Sequence, residues 1–305
     1  MIKYLTHQQI DKSKWNACVE HSLNSMMYAY SWYLDVAAPN WDALVLDDYE
    51  AVFPMVHGNK FSLSYLYQPL FTQQLGLFFT NLANAEKLTE FIQAIPVTYR
   101  YIDINLNYAN LLPNEGASIA LVKRKNYILD LDKPYTKTFK NYTEHSRRNT
   151  NKSKKSNLNI SICKVNEVVE MYILQRGMAT LNVTQKDYKR FEKITEAIAD
   201  HKILIPLAVK NENNHTLASA VFAISNNRIF YLMGTSNDEG KEKRAMYFLF
   251  DHIIEKYSNQ QMILDFEGSE IQGVAHFFKG FGATKQHYFK LRINNLPWYI
   301  KWLKK

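Results

Sequence analysis

The chain has 305 residues, enough for one large domain or two of ordinary size, and 47% of them are hydrophobic against 22% charged, a balance that excludes disordered and fibrous classes. No stretch reaches the roughly 18 apolar residues that span a bilayer, and residues 1–11 lack the basic-then-apolar pattern of a secretory leader, so a soluble, cytoplasmic protein is expected. The formal net charge is +8, and Cys18 and Cys163 show neither CxxC nor Cys/His spacing, so no structural metal site is expected and both thiols read as reduced and buried.

In chain order, amphipathic periodicity predicts helices over residues 10–21 and 28–36. Residues 41–55 read as a hairpin turning at Asp47-Asp48, followed by a strand over 61–67 and a helix over 85–95. A short buried strand carries Asp103 at its centre, and a Gly-containing link leads to a further strand at Tyr127. Residues 137–155 then hold Lys137, Lys140, Arg147, Arg148, Lys152, Lys154 and Lys155 against the single acid Glu144. That run is either a solvated helix face or an anion site for phosphate groups. Beyond it, residues 165–179 and 186–199 predict helices, the second capped by Thr184. A hairpin over 205–224, a strand over 228–234, a helix over 245–257, a strand centred on Asp265 and a last strand at Tyr288 complete the chain.

The second series repeats the first. Leu46 to Asp103 spans 57 positions and Val209 to Asp265 spans 56; Asp103 to Tyr127 spans 24 and Asp265 to Tyr288 spans 23. Matched order with matched spacing indicates an internal duplication, one unit over 1–138 and one over 139–305. The repeated order of helix, helix, hairpin, strand, helix, strand, strand places helices over a mixed, mostly antiparallel sheet: an α/β fold of the α+β type, in two tandem units.

Three stretches carry a resemblance to a known family. Tyr142-Thr143-Glu144-His145-Ser146-Arg147-Arg148-Asn149-Thr150-Asn151-Lys152-Ser153 resembles the basic S-x-x-x-R-x-x-I-x-K-A segment that opens the second unit of the FemAB-type tandem GNAT-fold acyltransferases, with Thr150 and Ser153 where Ile and Ala are usual. Residues 229–257 supply the strand, loop and helix where a GNAT fold places its acyl carrier. The run Asp265-Phe266-Glu267-Gly268-Ser269, followed by Phe277-Phe278-Lys279-Gly280-Phe281-Gly282-Ala283, is similar to the family's F-Y-x-x-F-G ending.

The resemblance implies N-acyl or aminoacyl transfer from acyl-CoA or an aminoacyl-tRNA to an amine of a cell-envelope precursor, a peptide or a small molecule. It places the carrier's phosphates at the loop of Gly240, Lys241, Lys243, Arg244 and Ala245, beside Tyr231, where a helix N-terminus favours anions. The loop is an eroded form of the family's Gly-rich signature, and Asp238, Glu239 and Glu242 oppose a phosphate. Acyl transfer also needs a proton acceptor. Asp265 and Glu267 alternate along one strand and present to one face; each is either that acid/base group or a structural carboxylate. Tyr288 either serves the leaving group or packs in the core.

Arg147, Arg148 and Lys152 are the candidate phosphate or tRNA contacts. The first unit, without a carrier loop, is expected on the acceptor side, with Tyr67 and Gln68 among its groove residues. The competing expectation is a non-catalytic protein that keeps the fold and binds a nucleotide or RNA phosphate.

Overall fold

The structure, a computed structural model, describes residues 1–111, 119–176, 183–268 and 270–301. Two compact units emerge: unit 1 comprises Met1–Arg124 with His287–Lys305, and unit 2 comprises Lys125–Gln286.

Unit 1 opens with β1 (Ile2–Leu5), α1 (Lys12–His21) and α2 (Ser31–Ala37), then β2 (Trp41–Leu46), β3 (Ala51–Lys60), β4 (Leu63–Tyr67), the two-residue β5 (Phe78–Phe79), α3 (Leu88–Gln93) and β6 (Tyr99–Asn105). The next strand, β7 (Ile119–Asp130), runs across the division and enters unit 2 at Lys125. Unit 2 continues with α4 (Tyr135–Lys140), α5 (Glu144–Lys154), β8 (Asn159–Ile162), α6 (Val165–Arg176), α7 (Gln185–Asp200), β9 (Leu204–Lys210), β10 (Thr216–Ser225) and β11 (Arg228–Ser236). After α8 (Asp238–Glu242), α9 (Ala245–Tyr257), β12 (Ile263–Asp265) and α10 (Gln272–Gly280), β13 (Thr284–Asn294) crosses back into unit 1 at His287, where α11 (Trp298–Lys301) follows.

The sheet pattern repeats. In unit 1, β1, β2, β3 and β4 pair antiparallel in succession, β4 pairs β6 parallel and β6 pairs β13 antiparallel. In unit 2, β8, β9, β10 and β11 do the same, β11 pairs β12 parallel and β12 pairs β7 antiparallel. The strand pairing within each series is therefore antiparallel except at one pair, β4–β6 or β11–β12. The final strand of each series joins the other series: β7, from the first half of the sequence, lies on β12, and β13, from the second, lies on β6. With this exchange the compact units divide at 124/125 and 286/287, whereas a division near 138/139 was expected from the sequence.

Local rules account for most elements. β2 reads as an uninterrupted buried run, as expected for a strand covered on both faces. At the start of α7, Thr184 Oγ1 accepts from the Asp187 amide while the Asp187 carboxylate accepts from the Thr184 amide, a capping box that satisfies two helix-end groups. The helix expected over 85–95 is split into a 3-10 turn over Leu82–Lys87 and α3. Asn81 accepts from the Ala83 amide there and draws the first turns tight. The edge strands β1 and β8, only four residues each, and the helices α8 and α10 were not foreseen. The helix expected to run to 179 is described to Arg176, and the rest of that expectation, like Ser269, lies outside the described residues.

The aromatic surplus is mostly core. Phe250 of α9 touches Phe222, Tyr231, Phe266, Phe277, Phe278 and Phe281 at ring-centroid distances of 5.0–6.2 Å, within the range of favourable aromatic pairs. In unit 1 a mainly aliphatic cluster surrounds Phe53, Phe79 and Phe91, and Trp15, Tyr28, Tyr33, Trp41 and Phe78 are also buried. Among the described residues no helix is long and apolar enough to cross a membrane.

Candidate functional site

The site in unit 2 arises from a mismatch of strand lengths. β11 has nine residues, but its parallel ladder with β12 covers Arg228, Ile229 and Phe230 only. β12 ends at Asp265, and the chain turns through Glu267 and Gly268 with φ of 60° and 64°. Against β10 the register of β11 shifts, Val221 facing Met233 while Phe222 faces Tyr231. Leu232 is thus the extra residue of a β-bulge, which bends the strand and re-aims the side chains around it.

A cavity of about 310 Å³ lies beside β11 past the end of the ladder, at the lower end of ligand-pocket volumes. Tyr231, Thr235 and Ser236 line it from β11, Lys241 from α8, Met246 from α9, and Val274 and Phe277 from α10. One glycine shapes it. A Cβ on Gly234 would stand 2.8 Å from the Tyr231 hydroxyl and from the Ser219 carbonyl, so only glycine allows that approach. A Cβ on Gly273, also in the wall, would meet nothing within 4 Å.

The expected carrier loop is a helix. Asn237 caps α8 by accepting from the Gly240 amide at 2.7 Å, and a Cβ on Gly240 would come within 2.1 Å of the Leu217 carbonyl. Gly240 therefore serves a tight seat of α8 on β10, and its N–H is already used. Lys241 pairs with Asp238 at 2.7 Å and Lys243 with Glu239 at 2.9 Å. These lysines hold both acids below the usual carboxylate range, with an added bond from Asn211 to Glu239. Arg244 sits at φ 61° before the buried Ala245 and donates to the Lys241 carbonyl. The cations at this place are thus largely engaged within the loop itself.

Asp265 is fully enclosed. Its Oδ1 accepts from Asn126 Nδ2 and from the Glu267 amide, both at 2.9 Å, and its Oδ2 accepts from Arg228 Nη1 at 2.5 Å. Such a carboxylate anchors the strand end. Glu267 is half-buried at the turn just beyond and does not contribute to the described cavity wall. Tyr288 is buried in the part of β13 that belongs to unit 1, whereas Tyr231 is the tyrosine at the cavity.

Lys137 and Lys140 of the basic run end α4, and the rest of it forms α5 and its C-cap. Its buried face holds Ser146, Asn149, Thr150 and Ser153, while Arg147, Arg148, Lys152 and Lys155 surround an open groove with Glu144 and Asn151. Arg147 Nη1 donates to the Lys140 carbonyl. Lys154 points the other way, onto the buried Asp251 of α9 at 2.7 Å.

Among the described residues of unit 1, the corresponding parallel ladder runs to the end of its strand. β4 has five residues and pairs β6 from Ser64 to Tyr67, its end. Gln68 then stitches the following loop to β6, its Oε1 accepting from the Asn105 amide and its Nε2 donating to the Thr72 carbonyl, both at 2.8 Å. Both ends of the Gln68 amide are engaged, and the ring of the half-buried Tyr67 lies 5.8 Å from that of Tyr65. Asp103, the counterpart of Asp265, pairs with Lys290 at 2.5 Å and Arg292 at 3.1 Å. Burial raises its carboxyl, but the Lys290 bond and charge, with Tyr101 and Arg292, bring it below its ordinary value.

No protein-family model matches the sequence, and no curated protein matches it. Solved structures do. A crystal structure of FemX superimposes with a TM-score of 0.71 at 12% identity, covering 97% of this chain and 98% of that one. L-PGS from Bacillus licheniformis gives 0.58 at 12% identity over 96% and 95%, and a tandem GNAT protein from the clavulanic acid biosynthesis pathway gives 0.51 at 8% over 97% and 99%. The fold is FemAB-like and of GNAT type, as the sequence resemblance led one to expect.

Proposed function

We propose that the chain is an N-acyltransferase in which the cavity beside β11 receives the acyl end of a carrier and an amine attacks its carbonyl. The supporting observation is the opening left where β12 stops and β11 continues through its bulge. There the strand edge turned to the cavity offers backbone amides that can polarise a carbonyl in a mostly apolar pocket, with Tyr231 beside the leaving group and Glu267 taking the amine's proton. The sequence repeats 1–138 and 139–305 are, in this reading, two GNAT-like units, the second with the opening beside β11; the first, with Tyr67 and Gln68 at its strand end, lies on the acceptor side.

The donor we favour is an aminoacyl-tRNA over acyl-CoA. Lys241 and Lys243, which would hold a coenzyme pyrophosphate, are neutralised by Asp238 and Glu239, and the Gly240 amide is taken by Asn237. A cluster of cations lies along α5 and its C-cap, where Arg147, Arg148, Lys152 and Lys155 suit an RNA backbone. The acceptor is an amine on a cell-envelope precursor, a peptide or a small molecule. The non-catalytic alternative draws on the same α5 face, and turnover separates the two.

A donor that binds only the folded chain raises its melting temperature, by about 5 °C or more at a hundred-fold excess over Kd. An aminoacyl-tRNA should produce that shift, and Arg147→Ala/Arg148→Ala/Lys152→Ala should abolish it. A shift with acetyl-CoA or a longer acyl-CoA and none with tRNA would replace the donor; no shift with any of them would sink the enzyme reading.

A further inference from the structure

The cavity beside β11 combines apolar walls with neutral polar groups. Tyr231, Met246, Val274, Phe277 and Phe278 supply the walls, and Gln175, Thr235 and Ser236 supply the hydrogen-bonding groups. Among the described residues that line it there is no aspartate or glutamate. Its one cation, Lys241, pairs with Asp238 at 2.7 Å. A charged group placed among these walls would give up water without gaining a partner of opposite sign.

The wall formed by α10 has a gap. Among the described glycines, Gly273 is the one whose Cβ would meet nothing within 4 Å; each of the others has a positive φ or a neighbour in the way. Gly273 lies in the first turn of α10, in ordinary helical backbone, where glycine is a weaker helix former than alanine. Neither the backbone nor the packing calls for it. Position 273 is one turn before Phe277, on the same face of the helix, and both residues line the cavity. A side chain at 273 would take up space along that wall.

We infer that the cavity is the side-chain pocket for the donor's acyl group, that it takes an uncharged, apolar side chain of leucine or phenylalanine size, and that Gly273 leaves the room for it. The α-amino group common to aminoacyl donors falls to the hydroxyls of Thr235 and Ser236 and the amide of Gln175. At about 310 Å³ the space suits one such side chain with its ester end. Burial of that side chain's apolar area supplies affinity that a charged side chain, stripped of water, cannot. This inference rests on the transferase reading and extends it from the class of donor to the chemistry of the group transferred.

The test compares each tRNA with and without its amino acid, by filter binding to the full-length protein, so that the ratio of the two Kd values removes the contribution of the RNA body. Leucyl and phenylalanyl groups should tighten binding by about ten-fold or more. Lysyl and aspartyl groups should tighten it by less than about two-fold. Gly273→Leu should bring the leucyl and phenylalanyl gains below about two-fold while keeping the affinity for deacylated tRNA and the melting temperature. An equal gain from lysyl or aspartyl groups, a leucyl gain that Gly273→Leu leaves intact, or tRNA binding that ignores the aminoacyl group would overturn the inference while the donor reading stands. Absence of binding to every tRNA, aminoacylated or not, would instead remove the donor reading and the inference with it.

Discussion

Asp265 and Glu267 are two residues apart and face opposite demands. Asp265 is held by three donors and forms a buried pair with Arg228, itself 4% exposed. Removing one member of such a pair strands the other charge in the interior, at a cost of about 3–5 kcal/mol. Asp265→Asn should therefore lower the melting temperature by about 10 °C. Glu267, half-buried and outside the ladder, should respond the other way: Glu267→Gln keeps the melting temperature within about 1 °C but lowers turnover by about a hundred-fold, the size of a lost general base. Calorimetry and an initial-rate assay on the two variants distinguish the roles. An Asp265→Asn protein that melts normally would refute the anchor, and a fully active Glu267→Gln protein would place the base elsewhere.

At the scale of elements, α4, α5 and α9 are joined by one buried carboxylate. Asp251 of α9 accepts from the hydroxyls of Tyr135 and Tyr142 at 3.0 Å and from Lys154 at 2.7 Å, and Lys154 lies over the Tyr135 and Phe139 rings. Burial pushes the Tyr135 hydroxyl up to about 12 from an ordinary 10.0, with the Lys154 hydrogen bond pulling down and Asp251 pushing further up. A group whose pKa is raised on folding contributes stability that is complete below its unfolded value and lost as pH climbs through its folded one. Denaturant midpoints should thus fall between pH 10 and about 12, and Tyr135→Phe should flatten that fall. An unchanged slope in the variant would assign the alkaline loss to other groups.

What the sequence disclosed at this scale follows the range of the forces involved. The helix at 245–257 and both hairpins were legible because their patterns are local and periodic. The four-residue edge strands β1 and β8 carry too few positions to show alternation. Residues 238–242 read as a loop because Asp, Glu, Gly and Lys are poor in apolar signal, and the helix depends on the Asn237 cap and the seat on Leu217. The i,i+3 and i,i+4 pairing that neutralises Lys241 and Lys243 is already present in the spacing of the sequence. The Arg228–Asp265 pair, 37 positions apart, and the Asn126–Asp265 bond, 139 apart, are tertiary and left no local trace. The cavity depends on where a ladder stops, which no residue pattern encodes.

For the molecule as a whole, the matched spacing pointed to a repeated strand order, but the crossing of the last strands was not legible, because β7 and β13 fall at matching places in their own series and their partners are set only by folding. The consequence is mechanical. A first half ending in the loop after β7 carries β7 but lacks β13, so β6 would present an open edge; the second half carries β13 but lacks β7, so β12 would be open and Asp265 would lose Asn126. Exposed strand edges of this kind pair with whatever is available. If the chain is cut between Lys133 and Pro134, residues 1–133 and 134–305 expressed separately should aggregate. Expressed together they should copurify in equal amounts, each donating the strand the other lacks, and should recover the circular-dichroism melt of the intact chain. Two halves that stay soluble and monomeric apart, with no affinity for each other, would show that the exchanged strands are dispensable to both units.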